Sequence, residues 1–185
     1  MRALPIAVTV LAAALALTSC DGGGSGDSSG SGKSGDTAGS AKKAAAAVCR
    51  IGDEGIQVGP ANAATAAGDT GNVPVTLTNK GAQCTLKGFP VLSVQAGGAS
   101  ADIVADKSAQ PEQLTLAKGD TASFTITYVR GAAGDAKTLA AKTLKIGLPG
   151  AAAAQSFPWS YGPLAGKGSA GEPNASMTPF QHAGD

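Results

Sequence analysis

Three cysteines and a single histidine set the chemistry open to this chain. Cys20 closes an apolar N-terminal run and belongs with that run. Cys49 and Cys84 remain, an even pair, and in an exported domain such a pair is expected to form a disulfide. A zinc site needs more nitrogen and sulfur ligands than two cysteines and His182 supply. His182 stands in a C-terminal stretch read as a tail, so neither a Ser-His-Asp triad nor a Cys-His pair is expected. Carboxylates can work in pairs, as in glycosidases. The candidates are Asp53, Glu54, Asp102, Asp106, Glu112, Asp120 and Asp135, each beside Gly, Lys or a strand end, where solvated loop carboxylates belong. Asp53, Glu54 and Asp69 lack the ligand spacing of a calcium loop. Lys137, Lys142 and Lys145 read as a solvated face. No catalytic residue, metal or cofactor is therefore expected, and the chain does not read as an enzyme.

Phe157-Pro158-Trp159-Ser160-Tyr161-Gly162-Pro163 is the most aromatic segment. Strand alternation puts Phe157, Trp159 and Tyr161 on one face. That face is either core or an exposed patch for a glycan or a protein. Pro158 has no N–H to give a neighbouring strand, which favours a sheet edge and leaves some surface access.

The elements that must position these residues are constrained by composition. The 185 residues suit one domain with tails. Hydrophobic residues make up 43%, but many are alanine, and the aromatic share is only 4%. Charged residues are 15% and the net charge is +1, which excludes a nucleic-acid binder working through a clustered basic surface. With 27 Gly and 10 Pro, the chain is rich in turns and linkers.

Residues 1–20 read MRALPIAVTVLAAALALTSC. Arg2 followed by a short apolar run is an export signal, too short to span a bilayer. Its end, Leu17-Thr18-Ser19-Cys20, resembles the lipobox of bacterial lipoproteins. The resemblance implies a signal peptide over 1–19 and a diacylglyceryl group on Cys20. Two acyl chains give stable membrane attachment where one is marginal. The implied location is the extracytoplasmic face of the cell membrane, with the membrane itself as first partner. Residues 21–47 are almost wholly Gly, Ser, Asp, Thr, Ala and Lys, so 20–47 reads as a lipidated Cys and a disordered tether. A Gly-rich coil of that length spans roughly 29 Å r.m.s..

From 48 to 180 the pattern changes to short alternating runs bounded by Gly, Pro, Asn and Asp. Val73, Val75 and Leu77 share a face, as do Cys84 and Leu86. Leu114 alternates with Leu116, and Leu144 with Ile146 and Leu148. Phe124, Ile126 and Tyr128 form one face of the clearest strand. Val91 to Val94 and Ile103-Val104 are further apolar pieces, and Met177 to Phe180 reads as a last short strand. Ala132 to Ala141 is the one helix-like stretch. The spacing predicts an all-β chain, an antiparallel immunoglobulin-like β-sandwich of about eight short strands. Residues 181–185 read as a disordered tail.

Within this domain, Val75 to Asn79, the turn that follows, and Cys84-Thr85-Leu86-Lys87-Gly88-Phe89-Pro90 resemble the family called domain of unknown function 4232. Cys49 near the domain start and the turn Leu116-Ala117-Lys118-Gly119-Asp120 fit the same resemblance, which covers about 48–180. It implies a small β-sandwich in an exported, often lipid-anchored protein of actinobacteria, and it implies no activity. Some members carry a second cysteine pair in the C-terminal half, which this chain lacks. The function expected is a non-catalytic surface binding or accessory module, a monomer contacting an envelope protein or glycan. The alternatives are a regulator or inhibitor of envelope enzymes, using a protruding loop at Ala99 to Gln113, or an enzyme using loop carboxylates.

Overall fold

The computed structural model of the protein describes residues 47–184. The expected signal segment, Cys20 and the tether up to residue 46 lie outside the described residues. Fourteen strands occur among the described residues, with a single 3-10 turn and no α-helix. They are β1 (Ala47–Val48), β2 (Glu54–Val58), β3 (Thr70–Asn79), β4 (Cys84–Lys87), β5 (Val91–Ala96), β6 (Ala99–Ala105) and β7 (Gln113–Leu116). Then come β8 (Thr121–Val129), β9 (Thr138–Leu139), β10 (Thr143–Gly147), β11 (Ala154–Pro158), β12 (Leu164–Ala165), β13 (Ala175–Met177) and β14 (Gln181–His182). The domain is all-β, as the alternation requires. The strand count exceeds eight because four strands are only two residues long and because β2, over Glu54–Val58, adds a strand outside the expected alternating runs.

The pair β3 and β8 is the spine. Val73 stands opposite Ile126, Val75 opposite Phe124, and Leu77 opposite Ala122 in an antiparallel register. All six side chains are buried. Between them the threonines at 76, 78, 125 and 127 face the other way and are only partly covered. That two-residue period is what a sheet with one buried face demands. Gly71 stands opposite Tyr128, and a Cβ there would lie 2.5 Å from the Tyr128 ring, so no larger residue fits without a shift.

The second half of the core comes from β10, β5 and β6. Leu144 pairs with Val94 and Ile146 with Leu92. Leu92 in turn pairs with Ile103. The main sheet runs β11-β10-β5-β6-β13-β8-β3-β2, with β14 added against β8. β13 makes the join: it lies parallel to β6 and antiparallel to β8. The arrangement is thereby partly barrel-like, and residues from both halves share one core. A separate sheet, β1-β4-β7, places Cys84 opposite Leu116 and Leu86 opposite Leu114.

Three expectations are corrected. Ala132 to Ala141 is not helical: it carries turns and β9, which pairs Leu139 with Leu164. Pairing with a partner strand overrides the helix propensity of its alanines. The expected tail at 181–185 begins instead with β14, where Gln181 pairs with Ser123 and His182 with Ala122. Phe180, buried just before it, holds this segment on β8. The protruding loop expected over Ala99 to Gln113 is strand β6 as far as Ala105, leaving only the turn that follows.

Candidate functional site

Two places gather polar and aromatic side chains. The first lies where β11 leaves the sheet. Phe157 is half-buried against the core, Trp159 is buried, and Tyr161 is half-buried. The three do not form an exposed patch. Trp159 lies just past β11, and its N–H donates to the Lys142 carbonyl at 2.8 Å, continuing the pairing with β10. Its indole N–H donates to the Gly162 carbonyl at 2.6 Å. The ring packs edge-on against Tyr128 at 5.2 Å and Tyr161 at 5.0 Å. Such T-shaped pairs add to simple burial because ring edges and faces carry opposite partial charge.

Tyr128 fixes this cluster from the centre of the core. Its hydroxyl accepts from the Ala64 N–H at 3.2 Å and donates to the Tyr161 carbonyl at 2.8 Å. Arg130, two residues on, donates from Nη1 to the Ala64 carbonyl at 3.0 Å. Gly162 has φ of 92°, and a Cβ there would lie 2.7 Å from Arg130 Nη1. Glycine therefore serves both the left-handed turn and the close guanidinium. Burial, with Tyr128 close by as a smaller cause, holds the Tyr161 phenol above its usual value of 10.0.

Beside the cluster opens a cleft of about 480 Å³. One wall is the loop Ala133–Asp135 with Thr138 and Ala140–Lys142; the other is Trp159, Ser160, Gly162 and Pro163. Asp135 accepts from the Lys137 N–H at 2.8 Å, which shapes its loop. The lining thus combines one buried indole with two hydroxyls, one carboxylate and one ammonium. That mixture suits a ligand with both apolar faces and hydroxyl or amide groups.

The second place is the disulfide. Cys49 and Cys84 are bonded, with Cα atoms 4.9 Å apart. The sequence brings them together because β1 runs parallel to β4 and the Cys49 N–H donates to the Thr85 carbonyl at 3.0 Å. Against them lies Glu54, only 5% exposed. This corrects its reading as a solvated loop carboxylate. Glu54 Oε1 is 3.7 Å from Cys84 Sγ, and Oε2 has no hydrogen-bond partner. A disulfide sulfur carries no proton, so Oε1 also lacks a donor there. Burial, and next the Asp53 carboxylate, push the Glu54 carboxyl above its ordinary 4.5. The ligand atoms of Cys49, Glu54 and Cys84 lie within 4.8 Å of one another. Both sulfurs are oxidised, so the group offers no thiolate to a metal.

Nothing among the residue types announced a buried Glu54. The available signal was phase: Glu54, Ile56 and Val58 alternate, so the acid shares a strand face with two apolar side chains. Asn79, the last residue before the turn, is 1% exposed and makes hydrogen bonds on both sides of its amide, a role that its residue type alone does not announce.

No curated protein matches the chain. The family model described as Domain of unknown function (DUF4232) matches residues 49–181, from the first cysteine of the disulfide to the first residue of β14. That span takes in β3, β8, the disulfide and the cleft, and the chain belongs to this family.

Proposed function

We propose that this protein is a lipid-anchored envelope lipoprotein of actinobacterial type. In this reading its immunoglobulin-like β-sandwich is a non-catalytic binding module, and the cleft beside Trp159 is the seat for an envelope glycan or protein segment. The observation that carries the reading is the cleft itself. Its indole is held by one hydrogen bond and two edge-on rings, so a ligand meets a preorganised wall and little ordering entropy is lost on binding. The anchor rests on Leu17-Thr18-Ser19-Cys20 and the apolar run before it.

Crosslinking of the full chain to envelope extracts, beside the double variant Ser160→Ala/Lys142→Ala, tests the binding role. A partner captured by the parent and lost in the variant supports the cleft. Equal capture by both overturns it. Detergent-phase partitioning of Cys20→Ser tests the anchor separately, and partitioning unchanged from the parent would refute it.

A further inference from the structure

A buried carboxyl without a donor is costly, and Glu54 is the one buried side chain among the described residues with an oxygen left unpartnered. Both clefts at this end of the domain reach the disulfide. One, of about 240 Å³, is lined by Cys49, Cys84, Arg50 and Asp53. The other, of about 690 Å³, is lined by Cys49 but not Cys84, together with Arg50, Asp53 and the Pro149–Ala153 loop. Cys49 lines both clefts and Cys84 only the smaller one; both cysteines are buried, at 3% and 6% exposure, and Cys84 Sγ is the sulfur in contact with Glu54 Oε1.

We propose that Cys49, Cys84 and Glu54 form a thiol–disulfide exchange site for a low-molecular-weight thiol, with Cys49 as the sulfur attacked and Glu54 as proton donor to Cys84. An incoming thiolate attacks Cys49 Sγ from the cleft. Its sulfur forms a mixed disulfide with Cys49 while the Cys49–Cys84 bond breaks. The electron pair goes to Cys84 Sγ, and the Glu54 proton passes to it from Oε1 across the 3.7 Å contact. The products are a mixed disulfide, a Cys84 thiol and a Glu54 carboxylate. A second thiolate then displaces Cys49, whose sulfur takes a proton from water. Two thiols are oxidised to one disulfide, and the protein disulfide is reduced by two electrons. Protonating the leaving sulfur matters because a free thiolate buried beside a carboxylate would be strongly disfavoured. In the reverse direction the Glu54 carboxylate takes the proton from Cys84 as the disulfide forms. Asp53 is the charged neighbour acting on Glu54; Arg50 lines the cleft with Asp53, and the Lys80 side chain lies over Gly55, on the opposite face of β2 from Glu54.

The test is the rate of reduction by dithiothreitol of the full chain carrying Cys20→Ser, followed by thiol trapping and mass. Rates are taken from about pH 5 to about pH 8 and divided by the fraction of reagent thiolate. The corrected rate is expected to fall as pH rises through the Glu54 titration, which carboxyl carbon NMR reads independently. Glu54→Gln is expected to lower the rate by about tenfold or more at the acid end, and to remove the fall. Asp53→Asn is expected to move the break to lower pH and keep it. A corrected rate that stays flat across the Glu54 titration in the parent overturns the proposal without relying on any variant. So does a rate independent of dithiothreitol concentration, since reduction would then require global unfolding.

Discussion

The hydroxyl of Tyr128 donates to the backbone carbonyl of Tyr161 at 2.8 Å, joining the centre of β8 to the loop that walls the cleft. The same oxygen accepts from Ala64, so one atom holds two loops on one strand. Tyr128→Phe keeps the ring and its packing on Trp159 and removes both bonds. A loss of about 1–3 kcal/mol is expected, because the Ala64 N–H is left without its partner. Urea denaturation measures it. A change below about 0.3 kcal/mol would mean that water replaces the hydroxyl without cost.

Asn79 closes the far end of β3. Its amide nitrogen donates to the carbonyls of Leu116 and Ala82, each at 2.9 Å, and its oxygen accepts from the Gly81 N–H at 2.9 Å. Asn79→Ala strands these groups at a buried corner. The expected cost is about 2–4 kcal/mol, well above that of a turn residue in solvent. Amide exchange at Gly81 should accelerate with it, and unchanged protection there would contradict the clamp.

The face assignment on β8 is testable at Ile126, which is fully buried opposite Val73. Ile126→Ala is expected to cost about 2–5 kcal/mol by lost burial and the cavity left behind. Thr127→Ala, on the outer face, should cost much less. Equal losses at the two positions would contradict the one-sided core.

Removing the disulfide with Cys49→Ala/Cys84→Ala frees a sequence separation of 35 residues in the unfolded chain. On the chain-entropy account the loss is roughly 4 kcal/mol at 25 °C. For a domain of ordinary stability, about 5–15 kcal/mol, that is a large share. Calorimetry of parent and variant checks it.

The Glu54 carboxyl also sets a sign for pH. Its folded pKa is raised above the ordinary 4.5, so the folded chain keeps this proton to higher pH than the unfolded one. The contribution to stability is fully present below the unfolded value and is lost as pH rises through the folded one. Glu54→Gln has no such proton. Its stability relative to the parent should therefore climb as pH rises above the ordinary carboxyl value and through the raised folded one. Urea midpoints at a series of pH values measure this, and parallel curves would show that Glu54 titrates alike in both states.

Much of the fold is legible from alternation because β3, β8 and β10 each bury one face and show the other to solvent. Val73 to Leu77 and Phe124 to Tyr128 carry that pattern without interruption. The pairing of Cys49 with Cys84 follows from their even number. What alternation cannot carry is short or tertiary. Gln181-His182 is polar and two residues long, so its place on β8 depends on Phe180 being buried elsewhere in the core. The alanines of 132–141 read as helix because propensity is local, whereas β9 forms only once Leu164 is in place. Glu54 reads as solvated because it follows Asp53 and precedes Gly55. It is buried against sulfurs brought in by Cys49, just past β1, and Cys84, the first residue of β4. The cleft combines the 133–142 and 159–163 loops, and no spacing rule joins them.

The bridging position of β13 bears on how copies of this domain behave when crowded. A sheet margin with free N–H and C=O groups is a template for another chain. Because β13 joins the two halves, the path of the main sheet ends at β2 and β11, with the two-residue β14 on β8 as a short side margin, where two separate sheets would have four such ends. The β11 margin finishes in Pro158, which cannot donate a ladder bond. A domain built this way offers neighbouring copies few places to zip onto, so its protection against edge-to-edge pairing comes from strand connectivity more than from its sparse charge.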